Sequence, residues 1–373
     1  MFSRNRFQLI YRFFHLVNNR VTPQRNSDFY DQAAWFKPIM QHANNVFKRY
    51  ISPNRELSVD EALVGTKARS VMTRYIPTKS HKLGIKLWVL VEAVSGYIIH
   101  FFPYRGRRYD PVPNCEIQGT HVVMKLLRES DLLGKWHHVF CDNFFTSLIL
   151  ARRLLTANTY LTGTICKNQT LPRLISEANP GANQTVFSRS GCLLCCALKE
   201  RQNRKTVRFV SKYMNAVHNQ NEKPSIATTY KFIVGVDMND MMSGVYDDHR
   251  KSKSMWKRIA INIFHRMLLN AYILYRRNTD DDQLLSRADF IASVIEALSN
   301  EHLVNRQPLE RRENREDAFR DGGVLERLEG KREKNCIVCS TNDRRKRSRT
   351  ICGRCRKGIH PVCLRNHRCR AEQ

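Results

Sequence analysis

The order in which the apolar period changes between residues 57 and 165 restricts the fold of this chain more than any other feature. ELSVDEALVG alternates from Leu57 to Leu63, and GIKLWVLVEAVSGYIIHFFPY reads as two apolar strands around a Ser95-Gly96 turn. Helical spacing follows at Val122, Val123, Leu126 and Leu127 in THVVMKLLRES. A short strand (HHVFCD), a second helix (SLILARRLLTAN) and a last strand (TYLTGTI) complete the run. The order is therefore β-β-β-α-β-α-β.

Around this run the signals are weaker. Residues 1–52 read as an N-terminal helical segment that packs through Phe7, Ile10, Phe13 and Phe14 and then Trp35, Ile39 and Val46. The first part of a core spans 53–165. Residues 166–232 show no strong period and are rich in Cys, Asn, Gln and basic residues, which suits an insertion. In 233–280, apolar positions at Trp256, Ile259, Ile263, Phe264, Met267, Leu268 and Leu274 mark one long amphipathic late helix that completes the core. Residues 281–335 form a charged helical or linker region, with few large apolar residues from Asn305 onward, and 336–373 are a cysteine-rich domain.

Lys and Arg number 63 against 34 Asp and Glu, a formal charge of +29. Nucleic acid is the leading partner, because each phosphate contact releases counterions, and an anionic membrane surface is second. No uncharged apolar run reaches the roughly 18 residues of a spanning helix, and MFSRNRF lacks the apolar centre of a signal peptide. The expectation is a soluble, intracellular protein with no membrane partner.

Three antiparallel strands followed by alternating helix and strand is the order of an RNase H-like core, an α/β fold with a mixed five-stranded sheet and flanking helices. Such a core carries acids on its first strand, its fourth strand and a late helix. Asp60 lies in the first strand, on the face of Ser58 and Ala62. Asp142 ends the fourth strand, and Asp237 and Asp240, three apart in GVDMNDMMSG, open the late helix. An Asp at a helix start is more often a cap than a catalyst. An Asp in a buried strand is costlier to explain away, because an unpaired carboxylate resists desolvation and a divalent cation would compensate it. Two Mg²⁺ about 4 Å apart, clamped by such acids, activate water or a 3′-hydroxyl at a phosphodiester.

Seven stretches, in order, resemble the piggyBac transposases and the piggyBac transposable element-derived proteins: SRNRFQLIYRFFH, ELSVDEALVG, YIPTKSHKLGIKLW, VFCDNFFTS, YLTGTI, GVDMND and HRKSKSMWKRIAINIFHRMLLNAYILY. The resemblance implies catalytic acids at Asp60, Asp142 and Asp237, which would bind Mg²⁺ as its ligands, and a further essential acid at Asp240. It implies metal-dependent cleavage of double-stranded DNA at transposon ends, 3′-hydroxyl attack, hairpin formation and joining at TTAA targets; it leaves a homodimer open. Three positions depart from the family pattern: Lys79-Ser80 replaces Lys-Pro, Val234-Gly235 replaces Gly-Gly, and CALKERQ stands where a tryptophan-containing insertion motif is found. The family also carries a long region before SRNRF, whereas here Met1 and Phe2 stand immediately before it. A domesticated, transposition-inactive DNA-binding derivative is thus the alternative to an active transposase.

The tail supplies eight candidate metal ligands in the run Cys336-x2-Cys339-x12-Cys352-x2-Cys355-x4-His360-x2-Cys363-x3-His367-x-Cys369. Two tetrahedral Zn²⁺ sites need eight. Interleaved pairing gives a cross-braced zinc finger, with Cys336, Cys339, His360 and Cys363 on one ion and Cys352, Cys355, His367 and Cys369 on the other. A chromatin reader for methyl-lysine would need an aromatic cage, and residues 336–373 contain no Phe, Tyr or Trp. The run Arg344, Arg345, Lys346, Arg347 and Arg349 suits phosphate contact and a nuclear localisation signal. The family resemblance implies that a similar cysteine-rich domain binds transposon ends.

Overall fold

The computed structural model describes residues 3–18, 20, 22–23, 27–77, 79, 81–114, 116–216, 224–246, 252, 254–305, 325–330, 332–341 and 344–367. The chain forms two compact units, Met1–Ile291 and Ala292–Gln373.

The first unit opens with α1 (Arg4–Phe13), capped by the Ser3 hydroxyl, which accepts from the Arg6 amide. Its apolar stripe is not buried: Phe7 and Ile10 are exposed, and Phe13 is 66% exposed. Packing of this segment instead runs through Phe14 and Trp35, which both stack on Trp256. Helix α2 (Lys37–Arg49) buries Ala43, Asn44 and Phe47.

Strands β1 (Glu56–Gly65), β2 (Thr73–Tyr75), β3 (Leu83–Glu92) and β4 (Ile98–Pro103) come next. They are followed by α3 (Gln118–Glu129), β5 (His138–Cys141), α4 (Leu148–Thr156) and β6 (Tyr160–Thr164). β3 pairs antiparallel with β1, β2 and β4, while β1, β5 and β6 run parallel. The order β4-β3-β1-β5-β6 thus holds the five strands read from sequence, with β1 at the centre. β4 is an edge strand, and two asparagines stand in for a missing neighbour. Asn44 exchanges hydrogen bonds with the Phe101 backbone at 2.9 and 3.1 Å, and Asn270 does the same for Ile98 at 2.8 and 3.0 Å.

The sheet has nine strands rather than five. After α5 (Arg173–Ser176), the strands β7 (Gln184–Ser190), β8 (Leu193–Lys199) and β9 (Val207–Ser211) continue it beyond β6 in the order β9-β8-β7, followed by α6 (Ser225–Thr229). β8 (LLCCALK) shows no polar face because both of its faces are covered. Leu193, Cys195 and Ala197 join the main core, while Leu194, Cys196 and Leu198 form a smaller one with Phe209 and Ile226.

The late helix is two helices, not one: α7 (Gly235–Val245) and α8 (Met255–Arg277). The intervening DDHRKSKS offers no apolar residue to sustain a buried stripe. A tight approach fixes the start of α7, since a side chain at Gly235 would meet Val91 and Ala93 of the sheet within about 3 Å. Asn239 then donates to the carbonyl of Gly96, whose φ of +72° makes the β3–β4 turn. Helix α9 (Arg287–Asn305) begins with Phe290 against Tyr272 and Tyr275.

The second unit contains two small antiparallel pairs, β10 (Leu325–Arg327) with β13 (Thr350–Cys352) and β11 (Lys334–Asn335) with β12 (Arg347–Ser348). Residues 325–327, read from sequence as linker, are therefore part of a sheet with the cysteine-rich segment. Residues 306–324 of that linker lie outside the described residues. Among the described residues, no helix is long and apolar enough to cross a membrane.

Candidate active site and Cys/His clusters

The acids are brought together by the parallel register of β1 and β5. Val59 pairs with Cys141, so Asp60 and Asp142, the next residue on each chain, stand side by side. Asp142 closes an Asx turn by accepting from the Phe144 amide at 3.0 Å, and its carbonyl accepts from Thr146. Tyr230, in the single 3-10 turn before α7, donates to the carbonyl of Cys141 at 3.3 Å and so ties the end of β5 to the start of the late helices.

Burial pushes the Asp60 carboxyl up to about 7, reinforced by the charges of Asp142 and Glu61 and opposed by the Glu61 amide and Lys79. Burial also raises Asp142; there the Phe144 amide and Lys86 oppose the shift. Lys86 itself lies 3.3 Å from Glu61 and over the Trp88 ring.

An acid with a raised pKa is most at ease protonated, so Asp60 costs stability above pH 7, and the cost fades as pH falls from about 7 toward 3.8. Asp60→Asn is therefore expected to stabilise the EDTA-treated protein at pH 8 by about 1–3 kcal/mol, after discounting for partial solvent access, and by much less at pH 5. Thermal melts at the two pH values check this.

Asp237 lies in the first turn of α7 and, at 65% side-chain exposure, is the most solvated of the four acids. It does not cap the helix; its partner is Lys79, whose ammonium is 3.6 Å from Oδ1. Asp240 is held differently. Its Oδ1 accepts from Arg266 Nη2 at 2.9 Å, while the same guanidinium donates to Asn239 and Asn262 at 3.2 and 2.9 Å. Burial raises the Asp240 carboxyl and Arg266 opposes that rise. Thus Asp60 and Asp142 stand side by side, Lys79 joins Asp237 to the β1 backbone at Glu61, and Asp240 is paired with the buried Arg266.

Among the described residues, the groups that bring three or more donor atoms within 4.8 Å of one another are both in the tail. Cys336, Cys339, His360 and Cys363 form one, and Cys352, Cys355 and His367 the other; Cys369 lies outside the described residues. Sγ of Cys339 is 3.3 Å from His360 Nδ1, and Sγ of Cys355 is 3.4 Å from His367 Nε2. His360 Nε2 lies 2.9 Å from the Arg347 carbonyl, which fixes the ring with Nδ1 toward the thiols. Burial works to raise the Cys336 thiol, but the amides of His360, Cys339 and Val338 outweigh it and lower it to about 6. Cys352 reaches about 6 in the same way, through the amides of Cys355 and Arg354 and a hydrogen bond to His367.

The sequence profile described as Transposase IS4 matches residues 1–272. The chain is 25% identical over 321 residues to the PiggyBac transposable element-derived protein 3 of Homo sapiens, covering 78% of this chain and 51% of that protein. This chain belongs to the Transposase IS4 family, in its piggyBac branch. The Chimeric ERCC6-PGBD3 protein of Homo sapiens matches at 25% over 321 residues, 78% of this chain and 28% of its own length. The chain thus spans about half the length, or less, of these relatives. The cryo-EM structure of the piggyBac transposase synaptic complex with hairpin DNA shares the fold, with a TM-score of 0.73 and 24% identity over 96% of this chain and 77% of that one.

The roles of two residues of this family member were not read from the sequence. Lys79 sits between turn residues in PTKSH, where a lysine looks like surface. Arg266 had a usable signal, a charge four residues after Asn262 and four before Asn270, on a helix face that proves buried.

Proposed function

We propose that this piggyBac-family chain is a metal-dependent DNA transposase with an RNase H-like core, acting on double-stranded DNA at transposon ends and joining to TTAA targets. The observation that supports the reading is the register that sets Asp60 and Asp142 one residue beyond the paired Val59 and Cys141 of the central parallel strands, with Asp237 on α7 sharing Lys79 with β1. The strand order β4-β3-β1-β5-β6 supports the RNase H-like assignment, and the DNA-bound state of the solved piggyBac transposase supports a DNA partner.

The donors fit the metal. Asp60, Asp142 and Asp237 offer hard oxygens, and the desolvation of the first two makes them poor free anions that a cation would stabilise. Mg²⁺ held there would activate water or a 3′-hydroxyl and stabilise the leaving oxygen. The amides of Glu61 and Phe144 orient the two strand carboxylates, and Lys79 and Lys86 bring positive charge to the edge of the site where a phosphate would approach. In the tail, the two clusters suit tetrahedral Zn²⁺, with Cys369 as the fourth ligand of the second site. The exposed Arg344, Arg345, Lys346, Arg347 and Arg349 support phosphate contact and nuclear import.

The test is Mg²⁺-dependent nicking of matched transposon-end DNA. Asp142→Asn is expected to lower the rate by about 10³ or more while DNA binding persists. Unchanged nicking in Asp142→Asn would remove the proposed site. DNA binding without nicking by the wild type would favour the domesticated derivative.

A further inference from the structure

We propose that Lys79 is a positioning residue that serves as the acid site's own cation, balancing the carboxylates around it until a divalent ion displaces its ammonium. The inference rests on reading Asp60, Asp142 and Asp237 as a metal centre.

Lys79 lies in the connection between β2 and β3, and its ammonium meets two elements far apart in sequence, β1 and α7. Its Nζ donates to the Glu61 carbonyl at 3.1 Å and lies 3.6 Å from Asp237 Oδ1. The charges of Asp60, Asp237, Glu61 and Asp240 all act on it. No other described lysine or arginine forms an ion pair with Asp237. The ammonium therefore touches the β1 backbone next to Asp60 and the helix acid Asp237 at once.

Lys79 is a cation held by one hydrogen bond and a long ion pair, and its side chain retains 26% exposure. It also borders a cavity of about 150 Å³, lined by His81, Asp240, Arg258 and Arg266, which gives the side chain room to leave the acids. A divalent ion drawn to the same carboxylates carries twice the charge and bonds to their oxygens directly. The two cations compete for one cluster of negative charge. Competition of this kind lowers apparent metal affinity and stabilises the metal-free fold, by linkage. The site would then stay ordered before metal arrives, at the expense of some affinity.

The experiment measures Mn²⁺ binding to the full chain without DNA, by electron paramagnetic resonance, with Asp142→Asn subtracting binding elsewhere. Lys79→Met is expected to bind Mn²⁺ roughly threefold to tenfold more tightly than wild type, and Lys79→Arg within about twofold of it. Metal-free Lys79→Met should melt below wild type, with the gap closing at saturating Mn²⁺. Lys79→Gln keeps a donor for the Glu61 carbonyl and removes only the charge. It should also bind more tightly, and it decides the case if Lys79→Met does not fold. Equal or weaker binding in the neutral variants, with wild-type binding intact, overturns the role of Lys79 alone. Wild-type binding that Asp142→Asn leaves unchanged overturns the metal-centre reading and this inference with it.

Discussion

Arg266→Met is expected to destabilise the first unit by about 3–5 kcal/mol, measured as a lower urea midpoint for that unit's transition. The guanidinium is 3% exposed and meets three acceptors, on Asn239, Asp240 and Asn262. Methionine fills much of the volume but leaves Asp240 as a desolvated charge without its counterion and two amide oxygens without a donor. A broken buried pair costs more than an absent one. The double variant Arg266→Met with Asp240→Leu should therefore recover about 1–3 kcal/mol of the loss, giving a favourable coupling between the two changes. Additive losses would mean that Asp240 is not held by Arg266, and a direct metal role for it would gain ground. The effect reaches the site through Asn239, which shares the guanidinium and also anchors α7 to the β3–β4 turn. Loosening that contact should shift Asp237, two residues earlier on the helix, and lower nicking beyond what the stability loss explains.

The parts of this structure that were legible are those where one face of an element is apolar and the other is not. β1, β3, β4, β5 and β6 announced themselves by alternation or by short apolar runs between turns, and their order is the one that runs β1 parallel to β5. Elements with two covered faces were silent. β8 has no polar side to mark its period, and the polar residues around it made the whole stretch resemble a loop. The polar stripe Asn262, Arg266 and Asn270 went unread for the opposite reason. At a spacing of four on α8 it looks like a solvated face, yet all three are buried, satisfying α7 on one side and the β4 edge on the other. The exposed stripe of α1 is the converse, an apolar face that the described residues do not cover. Hydrophobic periodicity reports which residues avoid water; it cannot report which polar groups have found partners inside.

Chelation of the tail should have the largest effect of all. The described residues of the second unit bury few apolar side chains, chiefly Ile351 and Ile359 with Cys336 and Cys352, far too little area to offset the entropy of ordering the segment. On the proposed zinc sites, metal binding, worth roughly 10–16 kcal/mol per zinc in small finger peptides, would supply most of its stability. Treatment with 1,10-phenanthroline is expected to release two equivalents of zinc per chain and to remove amide protection from residues 334–367 in hydrogen-exchange mass spectrometry. The ligand pattern makes a sharper demand. Cys352 and Cys355 lie in sequence between Cys339 and His360, so the loop closed by the first site contains two ligands of the second. His360 and Cys363 in turn lie inside the loop that Cys355 and His367 close. In the proposed arrangement each site would therefore hold the other's ligands in place. Cys352→Ser should cost more than its own ion, weakening the surviving site by about tenfold or more in a competition titration against a chromophoric chelator. Two independent tandem sites would leave the first at wild-type affinity, and that result would contradict the cross-braced arrangement even with both clusters present.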